Sequence, residues 1–150
     1  MGLDMYLYLR KYQSQYDKNG CSYPEELRTL EDWISERNFK SIYSEYQVGY
    51  WRKANAIHSW LVDNCADGVD ECQEIYVDRE KAEELLNLVQ EVLKDHSKAN
   101  ELLHTQSGFF FGTTEYDEWY FHDLEYTEKL LTEILKPQYK NYSIIYNASW

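Results

Sequence analysis

The sequence predicts an α+β fold: a single domain spanning residues 1–150, with about three to four helices packed on a small, mainly antiparallel sheet. Helical and strand-like patterns alternate irregularly along the chain, which favours a layer of helices against one sheet. The length suits one domain, and 43% of the residues are apolar, so there is material for a core. Of the residues, 17% are aromatic, mostly tyrosine, whose polar tip suits the edge of a core, an interface or a ligand pocket.

The first third of the chain predicts two strands and one helix. Residues 3–9 alternate loosely between apolar and polar side chains, which is typical of a strand. The polar residues 17–20 predict a turn. A helix is predicted from Pro24 to about Asn38, because proline is tolerated at the first helical position. Residues 42–50 are rich in aromatic and β-branched side chains and predict a second strand.

The middle of the chain predicts two helices separated by a short strand. Residues 51–65 predict a helix with Ser59 pointing away from its apolar stripe. That stripe consists of Ala54, Ile57, Leu61 and Cys65. Residues 71–77 predict a strand, and Asp78 is expected to cap the next helix. The apolar positions of this helix recur at the spacing typical of a buried helical face, namely Ala82, Leu85, Leu86, Val89, Val92 and Leu93.

The last third of the chain predicts a long helix and a final strand. The helix is predicted to run from about Tyr116 to Lys136, and Thr114 is expected to open it in a capping box completed by Asp117. Pro137 is expected to end it, since proline cannot continue a helix. Residues 139–150 are aromatic and β-branched enough to predict a C-terminal strand.

Charge and composition exclude several functional classes. The net charge of −12 argues against direct binding of nucleic acid or of an anionic membrane, because both depend on a basic surface. It leaves open a basic protein partner, such as a host protein or effector. No apolar run approaches the roughly 20 residues that a membrane-spanning helix needs. An odd number of cysteines and no signal-peptide pattern lead us to expect a cytoplasmic protein with reduced thiols.

The first candidate binding segment is residues 50–60, which combine two tryptophans with cationic, amide and imidazole side chains. A planar ligand could stack on Trp51 and receive a hydrogen bond from Asn55. Arg52 or Lys53 could compensate a negative charge on it. The alternative is ordinary packing, because Trp51 and His58 border the predicted apolar stripe.

The second candidate segment is residues 106–120, where two glycines bracket three phenylalanines ahead of the predicted long helix. Backbone N–H groups at a helix N-terminus attract anions, and flanking glycines allow a ligand to approach the backbone. Asp117 and Glu118 already complement the helix dipole and would repel a phosphate. The alternative here is a buried strand followed by a capped helix.

Metal binding and catalysis receive no support from the sequence. Cys65 and Cys72 do not have a usual zinc-ligand spacing, and the four histidines form no HExxH pattern. His122 and Asp123 are adjacent, but such pairs are common. No catalytic residue and no cofactor is predicted, and a non-enzymatic role is favoured.

The two candidate segments carry a resemblance to a known family. The chain opens with MGLDMY, contains YWRKAN-x-IH-x-W at residues 50–60 and QSGFFFG-x-T-x-YDEWY at residues 106–120, and ends with Ser149–Trp150. In these motifs, over nearly its whole length, it resembles a widespread family of small uncharacterised bacterial and bacteriophage proteins. The resemblance implies no particular activity, but it emphasises nine positions as candidate ligand-binding residues: Asp4, Trp51, Arg52, Asn55, His58, Ser107, Tyr116, Asp117 and Trp119.

Two functional hypotheses follow. The occurrence of the family in phages implies an accessory role, and the acidic charge and tyrosine-rich composition suit a protein interface. The leading hypothesis is therefore a phage or prophage binding protein that inhibits a host defence component. The alternative is a protein that binds, sequesters or converts a small nucleotide-like molecule, anionic or planar, where the segments 50–60 and 106–120 meet. In that case Arg52, Asn55 and His58 would face Tyr116, Asp117 and Trp119.

Overall fold

A computed structural model describes residues 2–14 and 41–150 of the chain. Within these ranges it contains four helices and a four-stranded antiparallel sheet, so the predicted α+β class is confirmed. The turn predicted at residues 17–20 and the helix predicted at 24–38 lie outside the described residues.

The sheet has the strand order β2-β1-β4-β3, with every neighbouring pair antiparallel. Its strands are β1 (Asp4–Ser14), β2 (Ser41–Arg52), β3 (Ile75–Val77) and β4 (Ser143–Ser149). The central strand β1 pairs with β2 along its whole length, with one irregularity between Leu7 and Tyr8. Because side chains alternate along a strand, Met5, Leu7 and Leu9 lie on one face and are all buried.

The helices are α1 (Asn55–Cys65), α2 (Arg79–Lys94), the single turn α3 (Ala99–Leu102) and α4 (Glu118–Ile134). Two contacts place α1 and α4 on the same, inner face of the sheet. The Trp51 indole N–H on β2 donates to Thr127 Oγ1 on α4 at 2.9 Å, and His58 on α1 contacts the hydroxyl of Tyr146 on β4 at 2.7 Å. Helix α2 packs mainly against α4. A Cβ at Gly49 would collide with Leu130, so glycine allows α4 to approach the sheet closely.

The outer face of the sheet carries six tyrosines, and we call this surface the tyrosine face. Its members are Tyr6, Tyr8, Tyr12, Tyr43, Tyr50 and Tyr76. Among them lies the buried guanidinium of Arg10, which donates to Glu45 at 2.6 Å and to Glu74 at 2.7 and 2.9 Å. These hydrogen bonds from Arg10 lower the pKa of Glu74. The ion pairs therefore neutralise a charge that the fold has removed from water.

The start of α1 differs from the prediction. A helix was predicted over residues 51–65, but Trp51 and Arg52 are the last residues of β2 and pair with Met5 and Asp4. Lys53 then adopts a left-handed backbone conformation with φ of 63°, which breaks the strand before the helix begins at Asn55. Ser59, predicted to point away from the apolar stripe, is nevertheless buried, as is every residue from 55 to 62.

The start of α4 differs as well. Asp117, not Thr114, is its N-cap, and the Asp117 carboxylate accepts the N–H groups of Trp119 and Tyr120 at 3.0 and 3.1 Å. Thr114 instead lies in the preceding loop, where its carbonyl accepts the hydroxyl of Thr105. The buried strand considered for the three phenylalanines is a turn, in which the Phe109 side chain is 96% exposed and the Phe111 side chain is buried.

The remaining predictions agree in type and differ in extent. Strand β1 is longer than residues 3–9, because its pairing with β2 continues to Ser14. Strand β3 occupies only the last three residues of the predicted 71–77 strand. The C-terminal strand begins at Ser143, because Pro137–Tyr139 forms a 3₁₀ turn. Asp78 is the N-cap of α2 as predicted, although its side chain makes no capping hydrogen bond. The short helix α3 was not predicted, since a single turn has no periodicity to detect.

Candidate functional site

A cleft of about 250 Å³ opens between the N-terminus of α1 and the first turns of α4. Residues 52–57 form one wall, and the loop residues Thr105, Gly112 and Thr113 form the second. The third wall comes from Glu115 and from residues of α4. Both candidate segments, 50–60 and 106–120, therefore contribute side chains to the same cavity, although they are far apart in the sequence.

The first wall carries two exposed cations at the end of β2. The Arg52 side chain is 59% exposed, and its Nε lies 3.9 Å from the Asp4 carboxylate. That carboxylate also accepts a hydrogen bond from the Tyr50 hydroxyl at 2.5 Å. At such a distance and exposure, the pair with Asp4 contributes little energy. The guanidinium of Arg52 is therefore available to a ligand.

Lys53 occupies a strained backbone position beside Arg52. Its φ of 63° lies in the left-handed region, which costs a residue with a side chain roughly 1–2 kcal/mol and is normally filled by glycine. The backbone is held there because the Lys53 N–H donates to the Leu3 carbonyl and its own carbonyl accepts the Asn55 N–H, both at 2.8 Å. The Lys53 stem packs on Gly112, where an added Cβ would lie 3.1 Å from Lys53 Cβ. Strain of this kind is concentrated at functional sites.

The N-terminus of α1 adds positive potential to the same wall. Its N-cap is Ala54, which has no capping side chain, and its first turn contains no acidic residue. Ala56 and Ile57, in that first turn, line the cleft. Because the first N–H groups of a helix lack intrahelical acceptors, they favour an anion placed against them.

Asn55 shapes the cleft by holding the loop that forms its second wall. Its side chain is buried, and Nδ2 donates to the carbonyls of Phe111 and Thr113 at 2.9 Å. Its Oδ1 accepts the Gln106 N–H at 2.9 Å. Both amide donors and the acceptor are thus used within the protein. Asn55 is a positioning residue, and its amide is not free for a ligand.

The third wall is both aromatic and acidic. The Trp119 side chain is 67% exposed although it lines the cleft, and such a ring can stack on a planar group. Asp123 lies one helical turn further along α4. Burial raises the pKa of Asp123 to about 6, an effect that His122 opposes and Asp117 reinforces. The cleft therefore has cations on one side and carboxyl groups on the other.

The nine candidate residues divide into three groups. Four line the cleft: Arg52, Asn55, Asp117 and Trp119. Asp4 contacts Arg52 at the edge of the cleft. The other four lie elsewhere: Trp51, His58, Ser107 and Tyr116.

Three of the residues outside the cleft stabilise the fold through contacts within the protein. Trp51 is buried against α4, and the Tyr116 hydroxyl donates to Asn100 Oδ1 at 2.9 Å. His58 is buried between the Tyr146 hydroxyl and the Asp70 carboxylate, at 2.7 and 3.0 Å. Ser107 lies exposed in the loop that Asn55 holds. His58 does not face the residues of α4 across the cleft, because its ring contacts Tyr146 on β4 and Asp70.

Lys53 and Asp123 line the cleft but were not among the nine candidate positions. Lys53 is part of the first motif, but its left-handed backbone depends on contacts with Leu3 and Gly112 that no local pattern shows. Asp123 follows Trp119 at the i, i+4 spacing that places two side chains on one helix face. That spacing was the signal that could have identified Asp123.

Comparison of the chain with models of protein families, with curated proteins and with solved structures gives no match. None of the helices that the structure describes has the length and apolarity to span a lipid bilayer. Within residues 2–14 and 41–150, no group of three histidine, cysteine or acidic side chains is arranged to hold a metal ion. The inference of function therefore depends on the geometry and charge of the cleft.

Proposed function

We propose that this protein binds a small ligand that carries an anionic group and a planar group, as a nucleotide does. The observation that carries the proposal is the convergence of residues 52–57 and 112–124 on one cavity. The anionic group would lie against Arg52, Lys53 and the uncapped N-terminus of α1. The planar group would stack on the exposed ring of Trp119.

The charge distribution supports an anionic ligand in spite of the acidic composition. The chain carries a net charge of −12, yet Arg52 and Lys53 are adjacent at the mouth of the cleft. Arginine offers planar paired donors that match carboxylate and phosphate groups, and lysine offers a mobile point charge. A helix N-terminus without an acidic side chain adds fixed N–H dipoles. Binding or sequestration needs no more than this arrangement, and we propose no chemical step.

The test is a calorimetric titration of the protein with the nucleoside 5′-monophosphates and with the matching nucleosides. We expect the phosphates to bind and the nucleosides to bind at least about tenfold more weakly, because one charge-assisted contact contributes roughly 1.5–3 kcal/mol. Arg52→Met and Trp119→Ala are each expected to weaken binding by a similar factor. The controls are Lys140→Met for an exposed cation and Phe109→Ala for an exposed aromatic ring outside the cleft. An equal loss of affinity in the variants and in their controls would contradict the proposal.

The variant Lys53→Gly tests whether the Lys53 side chain contributes to ligand binding or to the stability of the fold. Glycine relieves the left-handed strain but increases the entropy of the unfolded chain, so we expect a net stabilisation of about 0–1 kcal/mol. The thermal midpoint should therefore stay the same or rise by a few degrees, roughly 2–4 °C per kcal/mol. The affinity for the phosphates should fall, because the cation is lost. A less stable protein with unchanged affinity would show that the Lys53 side chain serves the fold alone.

A second candidate function is protein binding through the tyrosine face. Six tyrosines share this surface with Glu45 and Glu74, whereas the described helices α1 and α4 lie on the other side of the sheet. Tyrosine is enriched at protein interfaces, and the flanking carboxylates favour a basic partner. This candidate corresponds to a phage or prophage accessory protein that inhibits a host defence component.

The second candidate predicts a salt-sensitive complex with a basic defence effector. We expect the double variant Tyr43→Ser/Tyr76→Ser to weaken that complex, because both rings are about half exposed on the tyrosine face. Size-exclusion chromatography with light scattering at low and high salt would detect the complex. The matched control is Tyr139→Ser, which alters a tyrosine of the 3₁₀ turn Pro137–Tyr139 that is not a member of the tyrosine face. No complex with any basic effector tested, or no effect of the double variant, would refute this candidate.

A further inference from the structure

Asp123 is a carboxyl group that accepts no hydrogen bond from the residues that the structure describes. It lines the cleft from the first half of α4, and its side chain is partly buried. Among the described residues, the groups that act on its ionisation are His122 and Asp117, and neither donates a hydrogen bond to it. Removing an ionised carboxylate from water without a donor is unfavourable. Its position is therefore explained if a bound ligand supplies the donors.

The charged groups of the cleft come from its first and third walls. Arg52 and Lys53 line the same cleft from the end of β2, and Glu115 and Asp117 line it ahead of α4. His122 is the neighbour of Asp123 on α4. Burial raises the pKa of Asp123 although the two cations Arg52 and Lys53 line the same cleft. Titratable groups with perturbed ionisation in a cleft are candidates for ligand recognition.

We propose that Asp123 accepts two adjacent N–H donors from the planar group of the ligand, while the anionic group of the same ligand meets Arg52 and Lys53. This inference rests on the proposed function and specifies the ligand further. An ionised carboxylate offers only acceptors, and its two oxygens match a parallel pair of donors, as in arginine–carboxylate pairs. The ligand must then present such a pair at the end opposite its anionic group.

Few small planar groups present two adjacent donors on one edge. Among the nucleobases, guanine does so through N1–H and its 2-amino group. Adenine and cytosine place a donor beside an acceptor, and uracil places its donor between two carbonyl groups. The guanidinium group of a guanidino carboxylic acid, such as free arginine, presents the same pair. The shared chemistry is a planar donor pair opposite an anion, and the candidate sources are a guanine nucleotide and a guanidino acid.

The test is a calorimetric titration with five probes: guanosine, inosine and xanthosine 5′-monophosphates, arginine and agmatine. We expect the guanosine phosphate to bind at least about tenfold more tightly than the inosine phosphate, which lacks the 2-amino donor. Asp123→Asn should weaken the binding of guanosine 5′-monophosphate by a similar factor and strengthen the binding of xanthosine 5′-monophosphate. An amide places one donor beside one acceptor, which matches N1–H and the 2-carbonyl group of xanthine. The thermal midpoint of Asp123→Asn at pH 7.5 should be unchanged or higher, since a buried charge is removed.

The pH dependence provides a readout that a structural role would not change. Because the folded protein holds the pKa of Asp123 near 6, the affinity for the guanosine phosphate should fall as the pH is lowered through that value. The same titration with Asp123→Asn should show a clearly smaller fall, because only the ligand phosphate, whose second pKa is about 6, then titrates over this range. A fall of equal size in both proteins would overturn the role of Asp123.

The outcomes separate the inference from the proposed function. If arginine binds and agmatine, which lacks the carboxylate, does not, the donor pair belongs to a guanidino acid and the inference holds. If all the nucleoside phosphates bind equally and Asp123→Asn changes none of them, the inference fails and the anion-binding cleft remains. If neither the phosphates nor arginine binds, the proposed function and the inference both fail.

Discussion

Replacing Asn55 with alanine is expected to lower the free energy of unfolding by about 3–4 kcal/mol. The substitution leaves the Gln106 N–H and the carbonyls of Phe111 and Thr113 without their partner. Each buried polar group that loses its hydrogen bond costs about 1–3 kcal/mol, and water entering the loop would recover part of this. Urea unfolding followed by circular dichroism measures the change.

Asn64→Ala is the matched control, because Asn64 is an exposed asparagine in the same helix. Among the described residues, its side chain donates only to the Trp60 carbonyl. We expect the control to change the unfolding free energy by less than about 0.5 kcal/mol. Asn55→Ala should also weaken ligand binding, because residues 105–113 form one wall of the cleft. Lost binding with an unchanged unfolding free energy would show instead that Asn55 contacts the ligand directly.

Replacing His58 with alanine is expected to destabilise the protein by about 3–5 kcal/mol. The imidazole is almost fully buried and packs edge-on against Phe111. If its Nε2–H donates to the Asp70 carboxylate, Nδ1 is left to accept the Tyr146 hydroxyl, so the neutral ring satisfies both contacts. The substitution creates a cavity and removes the partner of the buried Tyr146 hydroxyl. Thermal and urea unfolding would measure the loss.

Two further variants divide the effect of His58 into its parts. Tyr146→Phe removes one hydrogen bond without a cavity and should cost about 1–2 kcal/mol. His104→Ala changes an exposed histidine and should have an effect below about 0.5 kcal/mol. If His58→Ala retained the stability of the unmodified protein and lost only ligand binding, His58 would belong to the binding site and not to the core.

The contrast between Asn55 and Lys53 illustrates how the cleft is built. Asn55 stabilises the protein by satisfying three backbone groups, whereas Lys53 adopts a conformation that glycine would adopt with less strain. Asp123 is similarly unfavourable for the fold, because burial raises the pKa of its carboxyl group. Lys53 and Asp123 therefore lower the stability of the folded protein, as residues that act on a ligand commonly do.

Much of the fold could be predicted because its signals are local. The apolar spacing of Ala82, Leu85 and Val89 lies within α2 itself, and the alternation along β1 lies within that strand. The start of α1 could not be predicted, because residues 51–52 have a helical pattern but gain more from pairing with β1. The three phenylalanines could not be assigned either, since Phe111 packs against His58 whereas Phe109 is exposed and contacts the ring of Phe110.

The sequence by itself determined the α+β class, the type of most elements and the two segments that meet at the cleft. It did so because periodicity, caps and turn residues act over a few positions along the chain. Only the tertiary structure decided which residues of those segments face the cleft. Asn55 and His58 are engaged by groups 56 and 88 residues away, whereas Arg52, Lys53 and Asp123 are left open to a ligand. Hydrogen bonds between such distant residues depend on how the layers pack, and no local pattern records them.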